Sequence, residues 1–275
     1  MDIIEAIKII ILGIVEGVTE WLPISSTGHM LLVDEFLKIH MTPAFKEMFF
    51  VVIQLGAILA VVLIFWHKMW PFDFSNHKVE IKKDIFSLWF KVVVACIPGA
   101  VVTILFGDYV DAKLSTPIVI AATLIIYGIL FIVIENGNKT RKPQIRKLSD
   151  ITYKTALIIG LFQVLSIIPG TSRSGATIIG ALLIGVSRYA AAEFTFFLAV
   201  PVMFGLSFIK ILKFGLAFSI NELMILGLGC IVAFVVSVLV IKFLMSYIKK
   251  HDFKIFGWYR IALGIIVLVY FLLIA

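Results

Sequence analysis

Apolar residues run along this chain in six long stretches, Met48–Trp66, Trp89–Phe106, Pro117–Ile134, Phe194–Ile209, Leu223–Phe243 and Ile255–Ala275. At about 1.5 Å of rise per residue such runs read as helices crossing roughly 30 Å of hydrocarbon. Two further segments, near residues 3–32 and 152–185, are apolar but broken by Pro, Gly and consecutive hydroxyl residues. A continuous helix tolerates those residues poorly, because Pro removes a backbone donor and Gly loosens the chain. Irregular backbone survives at membrane depth only when buried in protein or lining a wet cavity. The two segments therefore predict re-entrant hairpins, each a pair of half-helices returning to its starting side. The pattern as a whole predicts an all-α integral membrane protein of about six transmembrane helices and two re-entrant helical hairpins.

The broken segments are copies of each other. The first reads Gly13-Ile-Val-Glu16-Gly-Val-Thr-Glu20-Trp-Leu-Pro23-Ile-Ser25-Ser26-Thr27-Gly28-His29. The second reads Gly160-Leu-Phe-Gln163-Val-Leu-Ser-Ile-Ile-Pro169-Gly170-Thr171-Ser172-Arg173-Ser174-Gly175-Ala-Thr177. A single offset of 147 residues aligns Gly13 with Gly160, Glu16 with Gln163, Ser25 with Ser172 and Gly28 with Gly175. The likeness continues, since Glu47-Met-Phe49-Phe50 resembles Glu193-Phe-Thr-Phe196-Phe197. One hairpin and three spans make an odd number of crossings, so the second copy is inverted relative to the first. The chain reads as a single membrane domain, with repeat one at about 1–135, a basic linker at about 136–150 and repeat two at about 151–275. Such repeats place their working site where the copies meet.

Composition agrees: 61% of the 275 residues are hydrophobic and 15% charged, with a mean hydropathy of +1.11. The net charge of +7 does not point to nucleic acid, because the basic residues sit in the connections. With the N-terminus on side one, side two carries Lys68, Lys78, Lys82, Lys83, Lys139, Arg141, Lys142, Arg146, Lys147, Lys154, Arg188, Lys249, Lys250 and Lys254. Side one carries only Lys38, Lys46, Lys113, Lys210 and Lys213 between its spans. Positive residues mark the cytoplasm, so both termini are expected outside, and the first cassette enters from outside. Asp2 and Glu5 stand where a secretory signal would be basic. Cys96 and Cys230 lie in apolar spans and suggest neither a disulfide nor a metal cluster. Pro98, Pro117 and Pro201 read as kinks or helix starts.

Ionisable groups at membrane depth are costly and mark function by default. Glu16 and Glu20, four residues apart, fall on one helix face. They repel unless Arg173, a divalent metal or a shared proton relieves them. Ser25, Ser26 and Thr27 lie beside His29, and a hydroxyl near an acid or base suits nucleophilic attack or leaving-group protonation. The same hydroxyls suit a helix cap. In the second cassette Ser172, Arg173 and Ser174 stand at a helix N-terminus, where free N–H groups favour phosphate. Arg173 adds a planar fork for two phosphate oxygens, and Thr177 follows one turn on. An amphiphile with a multiply charged phosphate head is the expected substrate. Carboxylates facing phosphate call for an intervening cation, Mg²⁺ or Ca²⁺.

Both cassettes closely resemble the two signature motifs of the bacterial undecaprenyl-diphosphate phosphatases of the bacitracin-resistance type (the UppP/BacA family). The resemblance covers essentially the whole chain. It implies hydrolysis of the C55 isoprenoid diphosphate to undecaprenyl phosphate and inorganic phosphate, recycling the carrier lipid for peptidoglycan synthesis. It implies too a place in the bacterial cytoplasmic membrane with the active site on its outer face, and resistance to bacitracin, which competes for the lipid. On that pattern Glu16 and Glu20 are the acidic pair tied to metal and catalysis, Ser26 the nucleophile, His29 the acid/base and Arg173 the diphosphate holder. Ser25, Thr27, Ser172, Ser174 and Thr177 would line the head-group pocket, and a homodimer is left open. The competing expectation is a secondary transporter or flippase for an anionic lipid or solute, because inverted repeats with broken hairpins also build carriers.

Overall fold

A computed structural model describes residues 2–37, 39, 41–73 and 80–273; Lys38, Lys78 and Ala275 lie outside that range. Its elements run α1 (Ile3–Thr19), α2 (Ser26–Leu37), α3 (Pro43–Met69), β1 (Phe72–Asp73), β2 (Glu80–Ile81), α4 (Lys83–Leu114) and α5 (Pro117–Gly137). They continue with α6 (Tyr153–Val164), α7 (Arg173–Leu183), α8 (Arg188–Phe214), α9 (Ile220–Tyr247) and α10 (Lys254–Leu273). The protein is an all-α, multi-pass membrane protein. Six helices, α3, α4, α5, α8, α9 and α10, are long and apolar enough to cross a bilayer, and each contains the greater part of one expected stretch. The only sheet among the described residues is the two-residue pairing of Phe72 with Ile81 and Asp73 with Glu80.

Local chemistry sets where the spans begin. Thr42 and Thr116 accept a bond from the amide three residues on, and Pro43 and Pro117 occupy the first helical turn, where a missing N–H costs nothing. Ser219 and Glu222 form a reciprocal capping box at the start of α9. Pro98 and Pro201 sit inside α4 and α8, whereas the residue of α3 that leaves helical geometry is Phe65, at φ −105° and ψ 16°.

The remaining helices are too short to cross. α1 has 17 residues, α2 12, α6 12 and α7 11, or about 16–26 Å each. α1 turns into α2 through residues 20–25, and α6 into α7 through a 3-10 turn, Leu165–Ile167, and the residues after it. These are the two hairpins.

Packing follows the repeat. α1 lies on α9 as α6 lies on α4, while α3 packs on α8 and α5 on α10. Gly13 and Gly160 serve the equivalent contacts: an added Cβ would stand 2.8 Å from Val232 Cβ in the first case and 2.3 Å from the Ala95 carbonyl in the second. Lys68, late in α3, pairs with Glu193, early in α8, and Lys210, late in α8, pairs with Glu47, early in α3. α3 and α8 are thus antiparallel, as inverted copies require. The main core runs through both repeats, from Trp21, Ala57 and Phe65 to Phe131, Phe194, Phe196, Phe197 and Phe253.

Candidate active site

The hairpin tips meet. Glu20 closes α1, with its amide bonded to the Glu16 carbonyl at 3.0 Å, so both carboxylates leave one face. Glu16 is 1% exposed and Glu20 8%. Arg173, the first residue of α7, gives Nη2 to Glu20 Oε1 at 3.0 Å and Nη1 to the Thr195 carbonyl at 3.3 Å. Ser26, the first residue of α2, donates its hydroxyl to Glu20 Oε2 at 2.8 Å. Glu20 therefore holds an arginine of one cassette and a serine of the other at the same time. The Ser174 hydroxyl donates to the Glu20 carbonyl at 3.3 Å and lies 3.1 Å from the Ser172 hydroxyl.

The two half-helices that leave the tips start alike. Ser25 has φ 74° and Ser172 φ 70°, the only non-glycine residues at positive φ among those described. The hydroxyl of Ser25 accepts from the Gly28 amide at 3.4 Å and that of Ser172 from the Gly175 amide at 3.2 Å. A left-handed conformation costs an ordinary residue about 1–2 kcal/mol, and such strain collects at functional sites. Here it occurs twice, at positions joined by the 147-residue offset, and turns the chain sharply enough to bring Ser26 and Arg173 to the same carboxylate. Gly170 makes the second tip possible: its φ is +86°, and a Cβ would fall 2.2 Å from the Thr123 hydroxyl.

His29 stands one turn from Ser26 on α2, yet its ring is engaged elsewhere. Nδ1 lies 2.8 Å from the Ser25 carbonyl and Nε2 2.7 Å from the Tyr259 hydroxyl, with the two rings stacked at 5.5 Å. A carbonyl can only accept, which puts the proton on Nδ1 and leaves Nε2 to accept from Tyr259 when the ring is neutral. The group hydrogen-bonded to Ser26 is thus Glu20. Thr177 is wholly buried, and its hydroxyl is occupied by the Arg173 and Ser174 carbonyls and by the Thr195 hydroxyl at 2.9 Å. Thr27 is exposed, Ser26 and His29 half-buried, so the site opens on the first-cassette side.

Glu16 differs from its neighbour. Its Oε1 is buried with no hydrogen-bond partner, a costly state for a carboxylate oxygen. That vacant acceptor fits a divalent cation. Among the described residues no group of three or more His, Cys, Asp or Glu side chains converges. The fit is therefore to a cation held by one or two carboxylates and completed by phosphate oxygens and water, the common habit of Mg²⁺.

Tyr259, Thr195, Thr123 and Arg260 reach the site from α5, α8 and α10, outside both cassettes. Of these only Arg260 carried a signal in the sequence, as a lone arginine within an apolar span. Two cavities, of about 830 and 440 Å³, lie among the basic connections, beside Arg141, Lys142 and Lys249 and beside Lys91, Arg146 and Lys147. No cassette residue from 13–29 or 160–177 lines either one.

Comparison with known proteins bears on this geometry. The family described as bacitracin resistance protein BacA matches residues 9–266. An undecaprenyl-diphosphatase of Enterococcus faecalis is 72% identical over 269 residues, 98% of each chain. Similar too are the undecaprenyl-diphosphatases of Lachnoclostridium phytofermentans, 64% identical over 99% of each chain, and of Desulfitobacterium hafniense, 62% identical over 98% of each.

Proposed function

Since the chain belongs to the bacitracin resistance protein BacA family, we infer that it is an undecaprenyl-diphosphatase, an enzyme that hydrolyses the lipid diphosphate. The observation that carries the reading into the site is the double grip of Glu20 on Ser26 and Arg173. Two groups of opposite use, one able to attack phosphorus and one able to bind its oxygens, share one carboxylate.

In the mechanism we propose, Arg173 turns both arms to the terminal phosphate, Nη2 from Glu20 and Nη1 from the Thr195 carbonyl, and orients it bidentately. Glu20 accepts the Ser26 proton as the Ser26 oxygen bonds to the terminal phosphorus. The bond from that phosphorus to the bridging oxygen breaks, and undecaprenyl phosphate leaves with the proton that Glu20 had gained, which frees the carboxylate again. Water then attacks the phosphoserine phosphorus. Glu20 takes its proton and passes it to the Ser26 oxygen as the bond from that oxygen to phosphorus breaks, releasing inorganic phosphate and restoring Ser26. His29 and Tyr259, hydrogen-bonded to each other on the open side, exchange protons with solvent there. Ser25, Thr27, Ser172 and Ser174 frame the head group, and Thr177 contributes by fixing α7 to Thr195. A divalent cation held by Glu16 and Glu20 would neutralise charge on the diphosphate oxygens. The excess of basic residues on one side supports a cytoplasmic-membrane enzyme whose site faces outward. There it would compete with bacitracin for the lipid, as a monomer or a homodimer. The carrier reading rests on the repeat architecture alone, without need of a hydroxyl held by a carboxylate.

Phosphate release from undecaprenyl diphosphate by detergent-purified protein tests the assignment, with Mg²⁺ or Ca²⁺ and with a chelator. Release that the chelator abolishes is expected, together with losses of 10²-fold or more in Glu20→Gln and Arg173→Ala, on the order of an acid–base or oxyanion contribution. A folded wild type that binds the lipid and releases no phosphate would sink the reading.

A further inference from the structure

Arg260, two turns into α10, is wholly buried and has no ion-pair partner within reach among the described residues. Its guanidinium is satisfied by main-chain carbonyls instead. Nη1 donates to Pro23 at 3.2 Å, Nη2 to Gly170 and Thr171 at 2.9 Å each, and longer bonds of 3.5 Å reach Thr123 and Leu124. Its carbon lies 5.6 Å from the centre of the Tyr127 ring. A charge buried at this depth is expensive unless something offsets it, and a structural bond between α5 and α10 needs no cation.

What the guanidinium joins is specific. Pro23 lies in the first tip, between Glu20 and Ser26; Gly170 and Thr171 lie in the second, just before Ser172 and Arg173. One planar fork, with donors pointing in several fixed directions, spans both tips, a reach that a lysine head cannot match. The second tip is also tied to α5, where the Thr123 hydroxyl donates to the Pro169 carbonyl at 2.8 Å. Gly175 leaves room for the arrangement, since a Cβ there would stand 3.2 Å from Arg260 Nη1.

We propose that Arg260 is a positioning residue: by tying the Pro23 carbonyl to those of Gly170 and Thr171, it holds the Ser26 hydroxyl and the Arg173 guanidinium in mutual register without touching substrate. The proposal rests on the phosphatase reading above. Misplacing an attacking group by about 1 Å costs about 10²-fold in rate, so the effect belongs in kcat and leaves KM nearly unchanged.

The test is a steady-state comparison of wild type, Arg260→Lys and Thr123→Val on undecaprenyl diphosphate, with the melting temperature of each in detergent. Arg260→Lys keeps a charge but reaches one tip only, and is expected to lower kcat about 10²-fold with KM within about threefold of wild type. Thr123→Val, isosteric and uncharged, removes one tie and is expected to lower kcat about fivefold, since one hydrogen bond is worth about 1 kcal/mol. Unchanged kcat in a folded Arg260→Lys, or a rise in KM alone, overturns the proposal. Where Arg260→Lys does not fold, Thr123→Val decides by the same criterion. A wild type without activity fails the phosphatase reading instead, so the two failures are distinguishable.

Discussion

Ser26 and His29 illustrate how far residue types and spacing reach. The sequence brings them within one turn, and a hydroxyl beside an imidazole invites the pairing. In three dimensions Ser26 turns to Glu20 and His29 to Tyr259, because the left-handed residue at Ser25 aims the start of α2 back at the end of α1. The Ser26 proton is therefore expected to depend on Glu20 more than on His29. Ser26→Ala should reduce phosphate release by about 10³-fold or more in a single-turnover assay, as for loss of an activated nucleophile. Tyr259→Phe, which leaves the Ser26–Glu20 bond intact, should lower it only about tenfold, on the order of one hydrogen bond to a group that gains charge. Glu16→Gln tests the proposed cation: the concentration of Mg²⁺ for half-maximal activity is expected to rise about 10–100-fold, the effect of weakening a metal shell.

At the scale of elements, the spans and hairpins were legible because their causes are local. Hydropathy over some twenty residues marks a span, and Thr42-Pro43 and Thr116-Pro117 mark helix starts. The cap residues of the half-helices were legible as hydroxyls, but not that two serines would take positive φ, which nothing in a serine favours. Their strain and their caps oppose each other, and that gives a prediction. Ser172→Gly should leave the unfolding midpoint nearly unchanged, since relief of strain offsets the lost cap. Ser172→Ala keeps the strain and loses the cap, costing about 1 kcal/mol, readable as a lower melting temperature in detergent.

For the whole molecule, the two-copy architecture predicts unequal clamps where α3 meets α8. Glu193 is buried, so Lys68→Ala strands its carboxylate and should cost about 1–3 kcal/mol. Glu47 is largely exposed, and Lys210→Ala should cost less than about 1 kcal/mol; thermal unfolding of both variants checks the difference. Sequence alone determined the membrane class, the six spans, the broken hairpins and the repeat, because burial in lipid imposes long apolar runs and an internal duplication leaves a fixed offset. It also exposed the cassette residues, since polar groups stand out in apolar surroundings. Tertiary structure alone decided which of those groups meet. Glu20 and Arg173 lie 153 residues apart, and Pro23 and Arg260 237 apart, and no local pattern couples positions so distant. Their partnership comes from the packing of inverted copies, which brings two strained tips and one buried arginine to a single place.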